Sequence, residues 1–102
     1  MKWEQIDRDD SRVTEYSEII HKRYFEKLTN RPSVLILLDS NNNVQHIEKV
    51  NLGEVTISIA KHILGEMNYA FSNIKVLYTK NQKDAESLAD HLLEKYNPHK
   101  NK

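Results

Sequence analysis

Apolar positions along the chain change their spacing from one stretch to the next, and the spacing separates helix from strand. Val13, Tyr16, Ile20, Tyr24 and Leu28 recur every three or four residues. That is the stripe of a helix starting near Asp10 or Ser11, either of which accepts hydrogen bonds from first-turn N–H groups. Pro32 disfavours helical geometry at Arg31, which predicts an end near Thr29. Val34-Leu35-Ile36-Leu37-Leu38 shows no alternation. Such a strand is covered on both faces and belongs in the middle of its sheet. Ser40-Asn41-Asn42-Asn43 follows, and Asn tolerates the left-handed geometry of a tight hairpin turn. The returning strand, Val44 to Val50, carries Gln45, His46, Glu48 and Lys49 and reads as a more exposed edge.

Asn51-Leu52-Gly53-Glu54 looks like a helix start, with Asn51 capping and Glu54 reaching back. Val55, Ile59, Ile63, Met67 and Ala70 or Phe71, joined by Ala60 and Leu64, then give the widest apolar face in the chain. Ile74 to Tyr78 reads as a short strand. Asn81 and Asp84 repeat the capping pattern, and Ala85, Leu88, Ala89, Leu92 and Tyr96 mark a last helix stopped by Asn97-Pro98. Trp3 and Ile6 are expected to dock on the core, residues 1–10 forming a docking segment and residues 97–102 a frayed tail. The order α-β-β-α-β-α predicts a single α/β domain over residues 1–102; a two-layer α+β arrangement is the alternative. Its sheet is expected to be three-stranded and mixed, with strand order 2-1-3 and three packing helices.

Composition narrows the function classes. The chain has 102 residues, 38% of them hydrophobic, which supplies one core. Fifteen Lys and Arg balance fifteen Asp and Glu, excluding a strongly basic nucleic-acid coat or a polyacidic tail but leaving room for a local basic patch. Zero Cys excludes a disulfide scaffold, a Cys nucleophile and any Cys-containing zinc site. The acidic N-terminal decapeptide is the wrong charge for a secretory leader, and Val34 to Leu38 is far too short to span a membrane. The expected location is cytoplasmic, with no membrane partner.

Catalytic constellations are missing from the sequence. His21, His46, His62, His91 and His99 include no pair at the three-to-five spacing that places two ligands on one helical turn, so neither metal nor cofactor is expected. No Gly-x-Ser-x-Gly elbow is present, and two isolated glycines build no phosphate loop. Asp39 ends the buried strand, where α/β enzymes often carry an acid; its plainer role is to fold the Asn turn. His62 and Glu66, four apart and bordered by Tyr69, could make an acid–base pair or a boundary ion pair. Strand direction gathers Arg31, Lys49, Asn51, Gly53, Lys80, Asn81 and Lys83 at one pole together with two helix N-termini, an arrangement that favours anions. Glu54 and Asp84 in the same first turns oppose it.

Leu37-Leu38-Asp39-Ser40-Asn41, then Leu52-Gly53, a helix and Ile74-Lys75-Val76-Leu77-Tyr78, resemble the element order of JAB-type domains over roughly Val34 to Tyr96. That family carries a His-x-His-type metal motif after the strand, where this chain reads Tyr78-Thr79-Lys80-Asn81. The resemblance therefore implies no peptidase chemistry at any residue here.

The expectation is a small non-enzymatic accessory or regulatory protein that acts by binding a protein partner or a second copy of itself. The alternative is a phosphate or nucleic-acid binder whose anion site is Arg31, Lys49, Lys80, Asn81 and Lys83.

Overall fold

The computed structural model describes residues 1–50, 54–64 and 71–97. Its five strands form one antiparallel sheet: β1 (Glu15–Tyr16), β2 (Ile20–His21), β3 (Ser33–Leu38), β4 (Val44–Val50) and β5 (Asn73–Tyr78). Two α-helices, α1 (Val55–Ile63) and α2 (Gln82–Tyr96), and two 3-10 helices (Gln5–Asp9 and Lys22–Lys27) complete the described residues. The architecture is α+β.

β3 lies between β4 and β5, and all six of its residues are buried. Its alternation is hidden because both faces are covered. Val34, Ile36 and Leu38 join Ile47, Leu77, Leu88 and Leu92 in one core, while Leu35 and Leu37 join Val50, Val55, Ile59, Phe71 and Val76 in another. α2 supplies the helical residues of the first core and α1 those of the second.

The sheet corrects the expected one in three respects. It has five strands rather than three, its order is β1-β5-β3-β4 with β2 also on β5, and no pair in it is parallel. β4 and β5 both run against β3, so parallel pairing has no place to occur.

The expected helix from Asp10 to Thr29 is absent, and its residues build the outer rim of the sheet instead. Thr14 and Ser17 donate their backbone N–H groups to the carbonyls of Tyr78 and Val76, and Lys22 donates to Ser72. The Ser17 hydroxyl accepts from the Val76 N–H at 2.9 Å. These bonds satisfy the far edge of β5, which would otherwise be left open beside a buried strand. Val, Thr, Tyr and Ile suit a pleated surface better than a helix. The apparent stripe divides between the faces, with Val13 on the α2 side and Ile20 and Leu28 on the α1 side. Tyr16 and Tyr24 are exposed.

The Asn turn folds around Asp39. Its Oδ1 accepts the backbone N–H groups of Asn41 and Asn43 at 2.8 and 2.9 Å, and Asn42 takes the left-handed conformation at φ 64°. Past the turn, Leu38 faces Val44 but Leu37 faces His46, so Gln45 is an extra residue without a cross-strand mate. This bulge reverses the alternation of β4. Val44 enters the α2-side core, whereas His46 and Glu48 lie opposite Leu37 and Leu35 and share the α1 face with Val50.

Trp3 docks as expected, stacked on Tyr96 with ring centroids 5.7 Å apart. Ile6 does not: it is 69% exposed, because the tight 3-10 turn around it aims Asp7 inward instead. α2 begins and ends where its caps predict, with Asn81 Oδ1 accepting from the Asp84 N–H at 2.8 Å and Asn97 left-handed. α1 differs. Glu54 makes no capping bond, and Asn30 from a distant turn accepts the Thr56 N–H at 3.0 Å. Asn51, Leu52 and Gly53, residues 65–70 (hence Glu66, Met67 and Tyr69) and the tail from Pro98 lie outside the described residues.

Candidate functional site

β4 and α1 bring three side chains together that sequence spacing did not connect. Residues two apart on a strand point to the same face, so His46 and Glu48 stand side by side on β4. His62, on the buried stripe of α1 with Val55 and Ile59, reaches them from the helix. The donor atoms of His46, Glu48 and His62 all lie within 4.8 Å of one another. His46 Nε2 is 3.1 Å from Glu48 Oε1, and His62 Nε2 bonds the same oxygen. The imidazole centroids are 4.8 Å apart, and the His62 ring meets the Phe71 ring edge-on.

Burial grades across the cluster. The side chain of His62 is 3% exposed, that of His46 12% and that of Glu48 30%. Access from solvent is therefore through the carboxylate. Burial pushes the Glu48 carboxyl upward, but the hydrogen bonds from His46 and His62 outweigh it and hold the group down at about 2. At neutral pH the site is one carboxylate oxygen flanked by two imidazole nitrogens. Two nitrogens and one oxygen form a donor set that suits a divalent transition metal.

Two histidines on one helical turn are not what makes this cluster. The pattern that marks this site is His-x-Glu on an edge strand with a third donor on the next helix, a longer-range signal. The expected partner of His62 was Glu66, which lies outside the described residues.

Ser33 faces both Val50 and Tyr78, which puts Arg31, Lys49 and the segment from Lys80 to Lys83 at the same end of the sheet. Thr79 donates to the Pro32 carbonyl, which brings the Arg31 turn beside Asn81. Arg31 pairs with Glu15 and lies over the Tyr78 ring at 4.5 Å, and Lys49 pairs with Glu86 at 2.7 Å. Asn81 caps α2, so its oxygen is engaged by the helix. Lys80 and Lys83 are exposed. Asn51 and Gly53 lie outside the described residues. Asp39 is held by its turn, with Asn43 Nδ2 and Gln45 Nε2 donating to Oδ2 at 3.1 and 3.4 Å. Burial raises its carboxyl, but the hydrogen bonds from the Asn43 backbone, the Asn43 side chain and the Asn41 backbone outweigh that and lower it.

A third feature is the outward side of α1. Ile57 is 52% exposed and Leu64 79%, and Ala60 lies between them on the same stripe. An open groove of about 420 Å³ beside it is lined by Phe25, Glu26, Asn30, Thr56, Ile57 and Ala60. Among the described residues no helix is long and apolar enough to cross a membrane.

Comparison of the chain with family models, with curated proteins and with solved structures gives no match.

Proposed function

We propose that the chain is a small non-enzymatic accessory or regulatory protein that works by binding protein, in the first instance a second copy of itself. The observation that carries this reading is the apolar stripe Ile57–Ala60–Leu64, which α1 turns away from its own core. A helix apolar on both sides normally has something against each of them. α1 has the sheet on one side, through Val55 and Ile59. Self-pairing meets no net repulsion, since the formal charge is zero at pH 7.

Light scattering coupled to size exclusion tests this directly. The wild-type chain should run as a dimer at high micromolar concentration, and Ile57→Glu with Leu64→Glu should run as a monomer with unchanged circular dichroism. A wild-type chain that is monomeric throughout removes self-pairing. The reading then stands only if an immobilised wild-type chain retains a partner that the double variant releases.

A further inference from the structure

We infer that His46, Glu48 and His62 form a binding site for one divalent transition-metal ion of the zinc class, which ties α1 to the last strand of the sheet. This goes beyond the protein-binding reading and does not rest on it. Geometry carries it. Three donors of the types zinc takes, two imidazole nitrogens and a carboxylate oxygen, converge from two separate elements within 4.8 Å.

A tetrahedral zinc ion with ligands at about 2.0–2.1 Å sets its donors roughly 3.3 Å apart. The His46 Nε2 to Glu48 Oε1 separation, 3.1 Å, already matches that edge. Binding the ion then requires the two imidazole nitrogens, no more than 4.8 Å apart, to draw together and the Glu48 carboxylate, the most exposed of the three groups, to draw back from His62 and admit the ion between them. Ligation through Nε2 leaves the ring proton of each histidine on Nδ1. Three protein donors leave a fourth position on the solvent side of Glu48 for water.

The apolar wall behind His62 explains why such a site works here. Phe71, Val50, Val55 and Ile59 belong to the core on this face, and a low-dielectric wall strengthens cation–ligand attraction. In the metal-free chain the shared carboxylate oxygen holds the two rings in nearly the same arrangement.

The test uses the full chain stripped with chelator and titrated with zinc chloride by calorimetry, and with cobalt(II) chloride by visible absorption. The expected result is one ion per chain, with the intense visible bands of four-coordinate cobalt. His46→Ala and Glu48→Gln should each weaken zinc binding at least about tenfold, while His91→Ala on the exposed face of α2 should leave it unchanged. His46→Ala is the informative variant, since its side chain lies on an edge strand and folding can be checked by circular dichroism. A second measurement needs no variant. In ¹H–¹⁵N spectra of the imidazoles, zinc should move the ring nitrogens of His46 and His62 and leave those of His21 and His91 in place. A folded wild-type chain that takes up no zinc, or zinc that stays bound in both variants, overturns the inference. So does a spectrum in which His21 or His91 moves instead.

Discussion

The two faces of the sheet are built on different principles. On the α2 face a fifteen-residue helix, capped at both ends, closes a core of Val34, Ile36, Leu38, Ile47, Leu77, Leu88 and Leu92. The chain's first segment is fastened to the same helix. Asp7, 7% exposed, accepts from Lys95 Nζ at 3.0 Å and from the Tyr96 hydroxyl, and Lys95 also reaches Glu4. On the α1 face a nine-residue helix packs beside a 3-10 helix, borrows its cap from Asn30, and encloses two histidines and a glutamate next to apolar neighbours. The first face spends its side chains on cohesion, whereas the second leaves polar donors in an apolar setting and an apolar stripe in water. Stability and chemistry are divided between them.

The sharpest way to break that comparison is a pair of truncations. Leu88→Ala on the α2 face should cost about 3–4 kcal/mol, the range for a fully buried leucine with little room to collapse. Ile57→Ala on the outward side of α1 should stay within about 0.5 kcal/mol. Urea denaturation of both variants as monomers measures the contrast, and comparable losses would mean that the outward stripe is in fact core. A smaller effect comes from the fastening of the first segment. Asp7→Ala should cost about 2–3 kcal/mol, less than the figure for a fully buried pair because Lys95 keeps Glu4 and some water. Loss of Trp3 burial in the same variant, read from its fluorescence, would show that the segment has lifted.

Acid unfolding gives the smallest and most specific effect. The Arg12 guanidinium and backbone N–H hydrogen-bond Asp10, and this holds its carboxyl at about 2 against an ordinary 3.8. Arg12 also donates to Ser87, which links this pair to α2. The folded value lies below the unfolded one, so the pair's stabilisation is complete above about pH 4–5 and is lost as pH falls through about 2. Asp10→Asn should remove about 1–2 kcal/mol at neutral pH, under about 0.5 kcal/mol near pH 2, and nothing well below it. The difference between the two stability–pH curves measures it.

Local information made the α2 face legible in the sequence. Five apolar residues without alternation marked β3 as central, and Asn81 with Asp84 marked the start of α2, because each signal lies within a few residues of what it determines. The far rim was not legible in that way. Val13 to Leu28 has helical spacing, yet its backbone partners are Ser72, Val76 and Tyr78, some fifty to sixty residues on. The open edge of β5 decides the outcome, and nothing inside the segment announces that edge. The same holds for the metal-ligating cluster. His46 and Glu48 are two apart, but His62 joins them only after β4 ends and α1 folds back over its face. The cap on α1 shows this again, since Asn30 precedes it by an entire hairpin.

Gln45 shapes the second arm of the hairpin without taking part in its ladder. It has no mate on β3, so excising it with the turn kept intact leaves Leu38 opposite Val44, Leu37 opposite His46 and Ile36 opposite Ile47. The strand then alternates without interruption, and His46 and Glu48 keep their face. Giving Gln45 a mate instead would slide the ladder by one and turn His46 and Glu48 toward α2 and Ile47 toward α1. The donor trio thus depends on looping one residue out, and a shorter arm that never had that residue would hold the trio equally well.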